Sequence, residues 1–283
     1  MHRLMTLLTL VSLIALTLFT SASADGRYRP ETYFVAVDSL SVLTSGTYAG
    51  LPNPNAGRLT LLYAHYTDPP TEHFHGIGVW SYTGPADNPT IRNTSNNNRL
   101  PELRQRNRPG GQRYLNLLYA NSGPFAGKWV SGRDGGEYSL LTIRPTAYLR
   151  NFLSDERVNR LYNSLRGRWT TTPGDLGITV GIELLDITPG LNIALADGTS
   201  ILQEVGAIYI IGSGNAWEFD PVFWVTNDAP AVYSASFRLV DLSGVSARHS
   251  GVFHYDFFVP EPASMVVLGT GLAGLLALRR RKK

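Results

Sequence analysis

Short segments rich in β-branched and aromatic residues, separated by turn residues, recur along most of the chain. Val, Ile, Tyr, Phe and Trp favour strands, whereas clusters of Gly, Pro, Asn and Asp favour turns. This pattern predicts a mainly β domain, arranged as an antiparallel β-sandwich-like pair of sheets. The predicted strands are Tyr33–Leu43, Arg58–Tyr66, His73–Tyr82, Arg113–Ala120, Glu137–Arg144, Gly177–Ile187, Val205–Ile211, Trp217–Val225, Ala231–Asp241 and Gly251–Val259.

One segment has helical periodicity instead. Ser154 is suited to cap the helix, the two acidic residues after it suit its positive end, and Gly167 is suited to end it. We therefore predict one short helix that packs its apolar stripe into the core. The stripe consists of Val158, Leu161, Tyr162 and Leu165.

Residues 84–111 form a long polar insertion that contains three consecutive asparagines and a concentration of arginine. Loops of this length are usually functional or disordered. Two interpretations stay open, a solvated mobile loop and a segment that grips an anionic polysaccharide. Its arginines are Arg92, Arg99, Arg104, Arg106 and Arg108.

The first 24 residues have the pattern of a secretory signal peptide. Arg3 precedes an apolar run, and the run ends in small residues that include Ala22 and Ala24. A positive start, an apolar core and small residues at positions −3 and −1 suit signal peptidase. We predict cleavage after Ala24, so that the chain is exported.

The other end has three successive features in residues 260–283. Pro260, Glu261 and Pro262 precede an apolar stretch at 265–278, and five basic residues follow it. The apolar stretch is short for a membrane helix, and the basic residues would hold their end in the cytoplasm. This order resembles the PEP-CTERM sorting signal of Gram-negative bacteria. The resemblance implies recognition of the triplet by exosortase, a transient anchor in the inner membrane by a C-terminal helix, and release to the cell surface.

The net positive charge of the chain comes from its terminal segments. Six of the 25 Lys and Arg residues lie there and none of the 22 Asp and Glu, which leaves 19 basic residues and a formal charge of −3 for residues 25–262. The basic pI therefore comes from the tail. We predict no nucleic-acid binding for the exported domain, residues 25–259.

The chain contains no cysteine. This excludes disulfides, thiolate zinc sites, iron–sulfur clusters and cysteine nucleophiles. The exported domain must be stabilised by its hydrophobic core, and any transition-metal site in it must use imidazole and carboxylate groups.

Three of the histidines lie on two predicted neighbouring strands. Alternate residues of a strand face the same side, so His73 and His75 share a face. If the strands pair antiparallel with His65 opposite His73, all three imidazoles point from one face, with opposed Cβ atoms about 5 Å apart. A shift of one residue in register would move His65 to the other side. The intervening turn is predicted at 67–72.

Three imidazoles with one further oxygen or nitrogen ligand suit Zn²⁺, and also Cu²⁺ or Ni²⁺. His254 is the predicted remote ligand of the zinc site. Asp68, Glu72 and His249 are reserve ligands. The competing interpretation is that a His-x-His strand in an aromatic-rich region is simply part of the core.

Several stretches of the domain resemble a cyanobacterial group of PEP-CTERM proteins repressed by the zinc-uptake regulator. They are Leu59–Pro85, Trp169, Gly181–Gly190 and Ser236–Gly244. The layout is also similar to that of actinobacterial surface-anchored proteins with His-x-His segments, which are associated with zinc import genes. The resemblance implies zinc capture outside the inner membrane, and it supports His65, His73 and His75 as ligands. The surroundings of His254 depart from the His-x-His pattern.

These observations leave three classes of function open. The leading prediction is a non-enzymatic zinc-binding surface protein. Its predicted partners are signal peptidase and exosortase, with either exopolysaccharide or a zinc-uptake system as a further partner, and storage and delivery of the zinc both stay open. The alternative is a structural extracellular-matrix protein that binds exopolysaccharide. An enzyme is disfavoured, because no Gly-x-Ser-x-Gly or His-Glu-x-x-His motif is present and no general base stands out.

Overall fold

The computed structural model describes residues 33–66, 71–93, 98–132, 136–226, 231–244 and 247–260. Strands dominate these ranges, so the mainly β prediction is confirmed. The strands are β1 Tyr33–Val37, β2 Leu59–His65, β3 His73–Ile77, β4 Ser81–Thr83, β5 Thr90–Arg92, β6 Arg99–Leu100, β7 Leu115–Ala120, β8 Lys128–Ser131, β9 Ile143–Pro145, β10 Thr179–Ile187, β11 Asn192–Ala194, β12 Ser200–Ile201, β13 Ile208–Ser213, β14 Val222–Val225, β15 Ala231–Asp241 and β16 Phe253–Val259. The α-helices are α1 Leu103–Arg106 and α2 Glu156–Ser164, and 3-10 helices span Thr146–Phe152 and Gly174–Leu176.

The described strands form two large sheets and one small ribbon. The four-stranded sheet has the order β3-β2-β1-β9. The ten-stranded sheet has the order β12-β11-β14-β8-β7-β16-β15-β10-β13, with β6 paired to β16, and β4 pairs with β5 alone. Strand β3 therefore forms one edge of the smaller sheet.

The predicted antiparallel arrangement holds for most of the described strand pairs but not for all of them. Strand β1 pairs parallel with β9, and β16 pairs parallel with both β6 and β7. Parallel neighbours need long crossover connections rather than hairpins. The sheets are therefore mixed, because segments distant in the sequence enter beside β1 and β16.

The central strands β1 and β2 of the four-stranded sheet are buried on both faces. In β1, Tyr33, Val35 and Val37 join a core that also contains residues of β10, β15 and β16. The alternate residues Phe34 and Ala36 join a second core. Because successive side chains of a strand point to opposite faces, the smaller sheet lies between the larger sheet and the helical segment.

Helix α2 covers the second core. Asp155 caps it, because its side chain accepts hydrogen bonds from the backbone N–H groups of Arg157 and Val158. The predicted cap, Ser154, is therefore off by one residue, whereas the predicted packing is confirmed. Val158 and Leu161 are buried in this core together with Leu165, and Tyr162 packs against it. The helix is not the only one described, since α1 and two 3-10 helices accompany it.

Several predicted strands are shorter than expected. Of the predicted strand Glu137–Arg144 only the end is a strand, β9, and of Trp217–Val225 only β14 is. Residues 84–111, predicted to be loop, contain β5, β6 and α1 within their described parts. Side-chain composition identified the apolar segments, but hydrogen-bonded neighbours decided how much of each became strand.

The two terminal predictions lie outside the described residues. They are the signal-peptide cleavage site at Ala22 and Ala24 and the sorting triplet from Glu261 onward, including Pro262 and the membrane segment at 265–278. Pro260 is the last described residue of that triplet. Among the described ranges, no helix is both long and apolar enough to cross a membrane.

Candidate metal centre

The β2–β3 hairpin brings three histidines to one face. His65 lies opposite His73, and Tyr63 lies opposite His75. Tyr63 and Ile77, which share the parity of the histidines on their strands, belong to the core between the two large sheets. The predicted register is therefore confirmed. The three imidazoles lie on the face of the hairpin that points into this core, next to the edge strand β3. The predicted turn at 67–72 is described only at its last two residues.

The imidazoles lie within hydrogen-bond distance of one another. His65 Nε2 is 3.1 Å from His75 Nδ1, and His73 Nε2 is 3.0 Å from His75 Nε2. His75 therefore contacts its two neighbours through different ring nitrogens. His65 and His73 are stacked, with ring centroids 5.1 Å apart.

A carboxylate completes the cluster. Glu102 Oε1 is 2.6 Å from His75 Nδ1, and Glu102 Oε2 is 3.1 Å from His65 Nε2. Glu102 precedes α1, and Leu100 of β6, two residues earlier, is fully buried in the inter-sheet core. The buried leucine holds this segment against the hairpin, so that the glutamate faces the histidines.

His65, His75 and Glu102 each offer one ligand atom, and these atoms all lie within 4.8 Å of one another. His73 does not belong to this set. Its Nε2 contacts Nε2 of His75, whereas His65 and Glu102 contact Nδ1 on the other side of the His75 ring. Two imidazoles and one carboxylate form a donor set that proteins use for zinc and for other first-row metals. The set that the described residues bring together thus contains two of the three predicted histidines and a glutamate, and the ligand role of His73 stays a prediction.

Further polar groups hold the cluster in place. Glu137 Oε1 is 3.0 Å from His65 Nδ1, and the Tyr138 hydroxyl donates to Glu102 Oε2 at 2.9 Å. His73 Nδ1 is 2.7 Å from the Thr71 carbonyl oxygen. A carboxylate and a carbonyl only accept hydrogen bonds, so these contacts place protons on the Nδ1 atoms of His65 and His73.

The cluster is electrostatically coupled. Burial lowers the pKa of His65, but hydrogen bonds with Glu102 and Glu137 outweigh it and raise that pKa to about 9. Burial raises the pKa of Glu102, but hydrogen bonds with His65 and His75 outweigh it and lower that pKa to about 2. In the absence of a metal ion, the cluster is therefore a buried carboxylate compensated by protonated imidazole.

The structure does not bring His254 to the cluster. His254 alternates along β16 with the core residues Phe253 and Tyr255, so it points away from the inter-sheet core. Burial and the neighbouring charge of Arg99 lower its pKa. His254 therefore lies outside the group of possible ligand atoms that the described residues form, because it alternates with the core-facing residues of β16.

The reserve ligands do not join the cluster either. Glu72 is buried, and it binds Arg160 through both of its carboxylate oxygens at 2.8 Å. His249 is exposed, and its backbone oxygen accepts a hydrogen bond from Arg58. Asp68 lies outside the described residues.

Sequence reasoning missed Glu102, Glu137 and Tyr138. One signal was available for Glu102, because it lies two residues after Leu100, a large apolar residue in an insertion that is mostly polar. Leu100 is fully buried and anchors this segment, although Leu103 is exposed. No comparable signal marks Glu137, whose position depends on an irregular segment between the sheets.

A cleft opens beside the cluster. It has a volume of about 720 Å³ and includes His73, Glu72, Arg160 and Arg166 in its lining. His73 is half-buried, whereas the side chains of His65 and Glu102 are only 6% and 2% exposed. The lining also includes Phe74 and the α2 residues Asn163 and Ser164, so the cleft lies on the α2 face of β3, opposite the face that carries the imidazoles.

The comparisons with known proteins identify the tail. The family model of the PEP-CTERM protein-sorting motif matches residues 258–282. No curated protein and no solved structure matches the chain. The motif supports export and sorting by the exosortase route to the cell surface. The chain therefore carries a PEP-CTERM protein-sorting motif at residues 258–282.

Proposed function

We propose that this protein is a non-enzymatic zinc-binding protein of the cell surface, held there through the exosortase route. The observation that supports zinc binding is the meeting of His65, His75 and Glu102, whose ligand atoms lie within 4.8 Å of one another. They come from a hairpin and from a segment about 30 residues away in the sequence. A metal ion bound between them would tie together parts of the chain that otherwise meet only through side chains.

The outer contacts support a metal ligand role for His65. Metal-binding histidines usually donate their second ring N–H to a carboxylate or carbonyl, which fixes the tautomer and the ring orientation. Glu137 makes this contact with His65 Nδ1 and leaves Nε2 directed at Glu102. Gln105 in turn donates to Glu137 Oε2 at 2.9 Å, so the outer carboxylate is itself held.

The charge of the site also favours a cation. The raised pKa of His65 and the lowered pKa of Glu102 show that the anionic carboxylate requires a positive partner. A divalent ion would supply that charge and release the proton on His65 Nε2. Metal binding and proton release are therefore expected to be coupled.

Zinc is the proposed ion because its preferred donors are the ones present. Without cysteine the site offers imidazole nitrogen and carboxylate oxygen, which bind Zn²⁺ at about 2.0–2.2 Å. Cu²⁺ and Ni²⁺ use the same donors, and geometry and supply decide among them. The proposed role is capture of zinc outside the inner membrane when zinc is scarce, followed by transfer to a zinc-uptake system.

His73 has a separate role in this proposal. Its Nε2 atom lies beside His75 rather than in the ligand set, and His73 is less buried than His65 and Glu102. An arriving ion would meet His73 first and then pass to the buried donors. Replacement of His73 should therefore slow zinc uptake more than it weakens zinc binding at equilibrium.

Zinc titration of the purified full chain by calorimetry tests the proposal. The wild-type protein should bind one Zn²⁺ per chain, and the His65→Ala/His75→Ala variant should bind none at the same concentrations. His249→Ala is the matched control, because it removes an exposed histidine that contacts no cluster residue. Equal stoichiometry in the wild-type protein and the double variant would refute the site.

A further inference from the structure

A second cleft lies on the other side of α1, and arginine dominates its lining. It has a volume of about 570 Å³ and is lined by Leu103, Arg106, Asn107, Arg108, Pro109, Arg113 and Tyr114. This volume lies within the range of about 300–1,000 Å³ that is common for small-molecule sites. No acidic residue belongs to this lining.

Arg106 is fixed at the wall of this cleft. Its Nε atom donates to the Pro101 carbonyl oxygen at 2.7 Å, and its Nη2 atom donates to Asp256. Its guanidinium carbon lies 5.7 Å from the centre of the Tyr114 ring. A guanidinium held by three partners presents its remaining N–H donors in one orientation, and less freedom is lost when a ligand binds.

The surroundings hold more positive than negative charge. Asp256 is buried and is shared by two guanidinium groups, Arg106 and Arg99, the second at 2.5 and 2.7 Å. One carboxylate therefore faces two arginines. Two further arginines, Arg108 and Arg113, add charge to the cleft, and among the described residues neither forms an ion pair.

We propose that this cleft is a binding site for an oxyanion-bearing ligand, a carboxylate or phosphate group held by Arg106, Arg108 and Arg113. Guanidinium groups match both anions, because their N–H donors form paired hydrogen bonds with two oxygens. Tyr114 forms one wall and stacks against Phe258, with ring centroids 5.9 Å apart. The aromatic wall fixes the side of the cleft on which an apolar face of the ligand would lie.

Two probes distinguish the source of the anion. Inorganic phosphate represents a free anion, and an oligogalacturonate represents an acidic polysaccharide, with maltoheptaose as the neutral reference. Calorimetry with the full chain at low salt measures binding of each. Binding of phosphate assigns the site to free anions, and binding of oligogalacturonate alone assigns it to polymeric carboxylates. Binding of neither anion, or equal binding of maltoheptaose, overturns the proposal.

The Arg108→Gln/Arg113→Gln variant tests the location. Each lost charge-assisted contact weakens binding by about tenfold, so the double variant should weaken it by about 100-fold if the two contacts are independent. Arg92→Gln/Arg104→Gln is the matched control, because it removes the same charge from exposed side chains outside the lining. An equal loss in both variants would mean that only the overall charge matters and would overturn the site. Circular dichroism confirms that each variant is folded.

Discussion

Glu102→Gln separates zinc binding from folding at the proposed centre. The substitution keeps the size of the side chain and removes its charge. The glutamine oxygen can still accept the Tyr138 hydroxyl, and the glutamine amide can donate to a neutral ring nitrogen of His65 or His75. In the variant, His65 and His75 can lose the protons that compensated the Glu102 carboxylate. The substitution therefore leaves no buried imidazolium without an anionic partner.

The structure sets the expected magnitudes. Glu102 is the acidic member of the three-residue ligand set in the described chain. Mutation of a residue that hydrogen-bonds a metal ligand typically weakens metal binding by about 10- to 100-fold. Removal of an anionic residue that binds the metal directly should weaken it by at least about 100-fold. We expect the zinc dissociation constant to rise about 100-fold, which corresponds to about 2.8 kcal/mol. The unfolding free energy of the metal-free protein should fall by only about 1–2 kcal/mol, the cost of altered hydrogen bonds.

Competition with a fluorescent zinc chelator measures the affinity, and urea denaturation in the presence of EDTA measures the stability. Glu183→Gln is the matched control, because Glu183 lies on β10 of the larger sheet and is paired with Arg238 at 2.6 Å. The control should retain the wild-type zinc affinity. A Glu102→Gln protein that binds zinc as tightly as the control would refute the reasoning, because the carboxylate would then not be a ligand.

Four further outcomes test the fold, the site and the tail. The folded-state pKa of His65 is raised to about 9, so in EDTA its stabilising contribution should be complete below about pH 6.5 and lost as the pH rises through about 9. Thermal unfolding across this range checks it, and a flat profile would contradict it. His254→Ala should leave the zinc stoichiometry in calorimetry unchanged, since β16 directs this ring away from the core, and a lost equivalent would contradict that orientation. Asp256→Asn should lower the free energy of unfolding, measured in urea, by about 3 kcal/mol. This is the low end of the range for breaking a buried ion pair, because the Arg99 side chain is 46% exposed. A change below about 1 kcal/mol would contradict this expectation. Replacing residues 260–262 by alanine should leave the chain uncleaved in the membrane fraction, and normal cleavage on immunoblots would count against exosortase processing.

The hairpin shows how far local pattern reaches. The parity of His73 and His75 on one strand, and the short connection to His65, are enough to place all three rings on one face once the strands pair. The structure has this register. The prediction succeeded because side-chain alternation and a tight connection are both local properties of the chain.

The residue that completes the three-histidine cluster could not be predicted from local sequence pattern. His254 looked suitable from its residue type, but its orientation depends on which residues of β16 face the core. Glu102 had the required orientation, yet it lies in a segment whose sequence resembles a loop. Its position depends on the parallel pairing of β6 with β16 and on the burial of Leu100. Such pairing joins residues more than 150 positions apart and leaves no periodic signal in the sequence.

The sequence by itself determined the β-rich class of the domain, the absence of sulfur ligands, the shared face of the histidines and the sorting motif of the tail. Each of these depends on residue type or on spacing within one or two strands. Tertiary structure decided which carboxylate meets the imidazoles, which histidine stays apart and where the arginines of the insertion gather. These outcomes follow from contacts between distant segments, because burial of apolar side chains selects among many possible pairings that the local pattern allows equally.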